Sequence, residues 1–254
     1  MATMLAVTLA YMILLWLLSI RIGDPSFIDA GWGFGFVVVA HAANVFTDGD
    51  PARSLAITIA TSVWGLRLAL YLLMRWRREG QDKRYAAMLR NAPGNKHIYT
   101  LTRVFLLQGA LMWAVSTPLQ LGQLYSEPRG LTPQAMIGIA FVIIGVAFES
   151  VGDWQLQQFK ADATNAGAVL DRGLWRYTRH PNYFGDAMVW CGLFLISVVN
   201  TATFAGIIGP ALMTFLLLKF SGVPILERGL KRRRPGYEEY MRRTSGFFPL
   251  PPRK

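Results

Sequence analysis

The stretch Arg176–Asp186 reads RYTRHPNYFGD and runs directly into the apolar segment AMVWCGLFLISVV. Polar and turn-forming residues at this density, at the mouth of a hydrophobic run, exceed what capping one helix requires. Pro181 suits the first turn of a helix, where its missing N–H is not needed. Arg179, His180 and Asn182 then surround a helix N-terminus, which attracts anions through its free N–H groups. Asn182 and Asp186 fall one turn apart on that helix. The chemistry this supports is capture of an anionic ligand that also offers hydrogen bonds.

Three other clusters put ionisable groups in or near apolar runs, where they are costly and usually face a cavity or a partner. In VWGLRLALYLLMRWRREG, Arg67, Tyr71 and Arg75 recur every fourth residue and share one helix face. Arg67 is too deep for simple snorkelling, so it needs a phosphate or a carboxylate, and Asp29 or Glu149 could supply the latter. Arg75, Arg77 and Arg78 taken singly read as topology determinants. In FESVGDWQLQQFK, Asp153 and Lys160 lie two turns apart on one face. They can bind a ribose or amide and a phosphate, or can be merely interfacial. In SFIDAGWGFGF, Asp29 sits one turn from Trp32 and Gly33, and glycines at 31, 33 and 35 permit close approach of a helix or a ligand. GWGFGF follows no strand and lacks the third glycine of a dinucleotide fingerprint. The segment LERGLKRRRPGYEEYMRRTSGFFPLPP carries Glu227, then Tyr237, Tyr240, Arg242 and Arg243, a mixture suited to stacking on a base and binding phosphate, or to a solvated basic face.

These residues must be positioned by membrane helices. Of the 254 residues, 53% are hydrophobic and only 16% charged, against about a quarter charged in soluble domains. The apolar residues form seven runs of bilayer-spanning length: Thr3–Ile20, Phe27–Phe46, Leu55–Met74, Val104–Leu124, Ala135–Val151, Phe184–Val199 and Phe204–Phe220. The expected fold is all-α, a polytopic integral membrane protein with seven transmembrane helices, N-terminus outside and C-terminus cytoplasmic, built as a single domain over residues 1–254. The first run has no basic flank and no small-residue cleavage site, so it reads as a span and not a signal peptide. Net charge is +11, yet its distribution argues for topology and not for nucleic acid. With the N-terminus outside, inner segments hold Arg21, eight basic residues in 75–103, four in 160–179 and ten from Lys219 onward. That is 23 of 26, the positive-inside pattern. No paired Cys/His spacing supports a metal site, the lone Cys191 excludes an intramolecular disulfide, and neither a P-loop nor a G-x-S-x-G elbow is present.

R-H-P-N-Y-x-G, an acidic residue after the seventh run and a closing Y-x-x-Y…P segment resemble the superfamily of steroid 5α-reductases, sterol reductases, and isoprenylcysteine and phospholipid methyltransferases. S-x-x-D-x-x-W-G at Ser26–Gly33, W-G-x-R-L at Trp64–Leu68 and D-x-R-Y at Asp82–Tyr85 look like the bacterial, DUF1295-like branch of the steroid 5α-reductase family. The resemblance implies an NADPH-dependent reductase of the C=C bond of an α,β-unsaturated ketone, with a 3-oxo-Δ4 steroid as the expected apolar substrate. It implies an enzyme in the lipid bilayer of a bacterial inner membrane with its cofactor site facing the cytoplasm. By the same resemblance, Asn182 contacts the nicotinamide carboxamide region, and Asp153, Lys160 and Asp186 belong to the cofactor site. Arg67, Tyr71 and Arg77 line its phosphate and adenosine portion, and Arg75, Arg172, Tyr177, Arg179, His180, Tyr183, Glu227, Tyr240 and Arg243 complete the set. Asp29 matches the acid that polarises the substrate ketone. The family tyrosine that bonds the carbonyl aligns with Trp64, which with Tyr71 makes up the expected catalytic group. The alternatives are an S-adenosylmethionine-dependent methyltransferase of a lipid or prenylated substrate and a non-catalytic lipid- or sterol-binding protein.

Overall fold

A computed structural model of the chain describes residues 1–220 and 222–253. Every regular element among the described residues is helical: α1 Ala2–Ile22, α2 Ile28–Phe46, α3 Pro51–Glu79, α4 Lys83–Arg90, α5 Lys96–Thr100, α6 Leu107–Val115, α7 Thr117–Leu121, α8 Pro133–Ala161, α9 Pro181–Ser197, α10 Ile208–Phe215, α11 Val223–Arg233 and α12 Tyr237–Arg243. A π turn over Leu101–Leu106 joins α5 to α6. Thr178 and Ser245 form an isolated parallel bridge.

Six of these stretches are long and apolar enough to cross a membrane: Ala2–Ile22, Pro25–Phe46, Pro51–Glu79, Lys96–Val115, Pro133–Ala161 and Thr203–Arg233. The sixth expected run forms α9, only 17 residues long, because Pro181 starts it and it ends at Ser197. The fourth run divides at Ser116, just before Pro118, into α6 and α7. Large apolar side chains such as Leu14, Ile59, Leu70, Ile137 and Ile143 point outward, more than half exposed, a surface suited to lipid and not to water.

The chain packs as two compact units. The first comprises Met1–Met136 and Leu193–Gly209. At its centre α2 crosses α3 backbone to backbone: a Cβ on Gly33 would lie 2.4 Å from Gly65 O, and one on Gly65 2.5 Å from Gly33 O. Trp64, beside that crossing, is fully buried with its ring 5.8 Å from Phe36. Arg53, near the start of α3, is also fully buried. Its Nε donates to Gly122 O at 2.8 Å and its Nη1 to Pro128 O at 3.0 Å.

The second unit comprises Ile137–Gly192 and residues from Pro210 onward. The same device recurs there. A Cβ on Gly145 would lie 2.5 Å from Gly185 O, and one on Gly185 2.6 Å from Gly145 O. Gly185, the glycine of the RHPNYFG motif, is thus the point where α9 presses against α8.

Candidate functional site

In the first unit the sequence places Asp29 in the opening turn of α2, near the start of the apolar stretch Pro25–Phe46. The short helix α4 returns to meet it. The Tyr85 hydroxyl donates to Asp29 Oδ1 at 2.8 Å, and Arg84 Nη2 lies 3.1 Å from Asp29 Oδ2. Gln108 Nε2 donates to the Tyr85 oxygen at 3.2 Å, and the Gln108 carbonyl oxygen accepts from Trp32 Nε1. Burial holds the Tyr85 phenol well above its ordinary pKa, reinforced by the Asp29 charge and hydrogen bond, so it keeps its proton.

A clasp fixes α4 in register. Asp24 caps the Pro25–Phe27 turn by accepting Ser26 N at 2.8 Å, and its other oxygen accepts Trp76 Nε1 at 2.7 Å. Ser26 Oγ in turn accepts the N–H of Asp82 at 3.2 Å, and Asp82 caps α4 through Arg84 N at 2.7 Å. Burial alone would raise the Asp82 pKa, but the Arg84 hydrogen bonds outweigh it and hold the carboxyl below its ordinary value.

Of the residues expected to act on a substrate, Asp29 lies in this cluster, whereas Trp64 packs on Phe36 and Tyr71 is half-buried on α3. Arg67 and Arg75 are half-buried along α3 and Arg77 is exposed near its end. Tyr85, Arg84, Gln108 and Trp32 were not expected at the site. The signal that could have found them is the joint presence of S-x-x-D-x-x-W and D-x-R-Y. Ser26, Asp29 and Trp32 from the first motif and Asp82, Arg84 and Tyr85 from the second all belong to this network.

In the second unit, Arg179 and His180 converge on one acid. Arg179 Nε lies 2.8 Å and His180 Nε2 2.9 Å from Glu227 Oε1. Arg179 Nη1 also donates to Met241 O at 3.0 Å and Thr244 O at 2.9 Å. Tyr183 stacks on the His180 ring at 5.3 Å. Asn182 Nδ2 lies 3.4 Å from Asp153 Oδ1. Tyr240 donates to Trp175 O, and Trp175 Nε1 to Gly152 O at 3.0 Å. Burial, then the neighbouring Tyr237, holds the Tyr240 pKa above the ordinary phenol value. Residues 245–250 run back along the motif: Thr178 Oγ1 donates to Phe247 O at 2.8 Å, and Leu250 N to Tyr177 O at 3.0 Å.

Arg243 pairs with Asp171 at 3.6 Å, the Arg172 guanidinium lies over the Phe159 ring, and Lys160 ends α8 exposed. Asp186 is buried on α9. Asn182 and Asp153 are thus brought together, as are Arg179, His180 and Glu227. No group of three or more His, Cys, Asp or Glu side chains able to hold a metal occurs among the described residues.

A family model described as a protein of unknown function, DUF1295, matches residues 15–244. The chain belongs to the DUF1295 family. The DUF1295 match takes in both clusters. The chain is also similar to an uncharacterised protein, C594.04c, of Schizosaccharomyces pombe, at 21% identity over 228 residues. That alignment takes in 78% of this DUF1295 chain and 63% of the yeast protein, so the chain spans less than two thirds of its relative's length. No solved structure matches.

Proposed function

We propose that this protein is a membrane reductase that uses NADPH to saturate the C=C bond of an α,β-unsaturated ketone, a 3-oxo-Δ4 steroid or a similarly flat apolar enone. The observation that carries the reading is the Tyr85–Asp29 pair: a phenol that keeps its proton, held against a carboxylate at the membrane boundary. An O–H so placed can donate to a ketone oxygen and stabilise the charge that develops there on reduction, most effectively where water is excluded. The membership in DUF1295, a family associated with steroid-reductase-like membrane proteins, supports it.

The second unit offers groups that fit the nicotinamide cofactor. His180 Nδ1 is buried and has no hydrogen-bond partner among the described residues, while its Nε2 is engaged by Glu227. A buried polar atom without a partner is costly, and a ligand amide or hydroxyl would satisfy it. Asn182, at the start of α9, supplies an amide beside it in sequence, and the exposed Arg172 and Arg176 supply positive charge for phosphates. Arg179 orders this segment through Glu227 and two carbonyls. When bound, NADPH would supply the hydride for the β-carbon, and a proton drawn from water would complete the α-carbon. Tyr85 would turn its one O–H from Asp29 to the substrate oxygen as the ketone arrives, and Arg84 would hold the carboxylate that the phenol proton leaves.

We further propose that α9 makes a seventh crossing and that the N-terminus lies outside, with the inner loops and both clusters on the cytoplasmic side of a bacterial inner membrane. The excess of basic residues on that side supports this topology.

The test is to purify the full chain in detergent, measure retained NADP(H) by mass spectrometry, and follow NADPH consumption with testosterone- and progesterone-like enones. Turnover that falls about 100-fold or more in Tyr85→Phe supports the reading. Retention of S-adenosylmethionine in place of NADP(H), or enone turnover unaffected by Tyr85→Phe, overturns it.

A further inference from the structure

The hydrogen bonds around Tyr85 run in one direction, and that direction is set two residues away. An indole N–H can only donate, so Trp32 Nε1 holds the oxygen end of the Gln108 amide against itself. The nitrogen end then faces Tyr85, with Nε2 3.2 Å from the phenol oxygen. A phenol oxygen receiving an N–H turns its own proton elsewhere, here to Asp29 Oδ1 at 2.8 Å. The other Asp29 oxygen is occupied by Arg84 at 3.1 Å. Turning the Gln108 amide over would set an NH2 group against the indole N–H, donor against donor. The chain Trp32→Gln108→Tyr85→Asp29 is therefore polarised by a residue that never touches the phenol.

We propose that Gln108, oriented by Trp32, is a positioning residue that aims the Tyr85 proton at the acceptor side and strengthens the phenol as a donor. The N–H it places on the phenol oxygen stabilises the negative charge that builds there as the proton moves toward a bound ketone; hydrogen bonds in such chains reinforce one another. The catalytic half of this inference rests on the enone-reductase reading. The orienting half rests only on the four side chains.

Three variants separate orientation from packing. Gln108→Leu removes the N–H, and Gln108→Glu keeps the volume and the Trp32 partner but offers Tyr85 an acceptor. Trp32→Phe leaves the amide free to turn over. The readout is the phenol C–O stretch of Tyr85 in ring-labelled, detergent-purified full chain without substrate, isolated by infrared difference against Tyr85→Phe. That band separates a phenol that donates and accepts from one that only donates. All three variants should move it toward the donor-only position. Enone turnover should fall about 100-fold in Gln108→Glu, with KM for NADPH unchanged. A purely structural Gln108 would tolerate Gln108→Glu and leave the band in place in Trp32→Phe, and either result overturns the proposal. If the band moves as expected while wild-type protein reduces no enone, the reductase reading fails and the orienting role stands. Should one variant fail to fold, the other two still decide.

Discussion

Arg179 and Glu227 meet at 2.8 Å, each only about an eighth exposed at 13% and 12%, and His180 shares the same carboxylate oxygen at 2.9 Å. Removing one partner of a buried ion pair leaves the other desolvated and unpaired, which costs roughly 3–5 kcal/mol. Glu227→Ala should therefore destabilise the second unit by about that much. Thermal unfolding in detergent checks it, and Arg228→Ala, at an exposed neighbour on α11, should change little.

The two glycine crossings make a matched pair of predictions. Gly185→Val and Gly33→Val each place atoms well inside contact distance of a facing backbone carbonyl, which no flexible side chain can relieve. Each should cost at least about 1–3 kcal/mol and lower the yield of monodisperse protein on size exclusion. Gly130→Ala, where a Cβ meets nothing within 4 Å but φ is +77°, should show only the smaller backbone penalty.

Tyr85 and Trp64 make opposite predictions for the donor. Trp64→Phe removes a buried indole ring packed at a tilt against Phe36 and should lower stability while sparing kcat in the folded fraction. Tyr85→Phe keeps the ring, should cost about 1–3 kcal/mol for the lost hydrogen bonds, and should remove about two orders of magnitude or more from kcat per folded molecule. Measuring kcat per folded molecule for both variants decides which residue serves the substrate oxygen.

Alkaline titration tests the buried phenols. The pKa of Tyr85, Tyr237 and Tyr240 is raised in the fold by burial first. Each therefore contributes stability that is fully present below the unfolded phenol pKa of about 10 and is lost as pH rises through the raised folded value. Ultraviolet titration should show a late phase above the ordinary phenol range, and that phase should be reduced in Tyr240→Phe.

Much of the architecture was legible because spans obey a length rule: apolar runs of the right size became helices within a few residues of where composition places them. The exceptions have local causes. The fourth run breaks before Pro118, and α3 and α8 extend past their apolar limits because residues such as Arg75, Arg77 and Gln155 continue a helix as readily as leucine does. The two side-chain clusters were half legible. Asp29, Asn182 and Asp153 stood out as polar groups in apolar surroundings. Tyr85 and Gln108 did not, because Tyr85 lies in a polar loop and Gln108 is one amide in a long apolar run. Only the fold, which brings α4 back to α2 across 56 residues, reveals that they belong together. Arg179 was legible as important but not in its role, since its carbonyl partners lie 62 and 65 residues downstream.

That separation has a consequence for biogenesis. The segment bearing Arg179, His180 and Asn182 leaves the ribosome well before Glu227, Met241, Thr244 and Ser245. During that interval a guanidinium and an imidazole stand at the membrane surface without the acid and carbonyls that later receive them. The motif can therefore be inserted early but can close only after translation has passed residue 245.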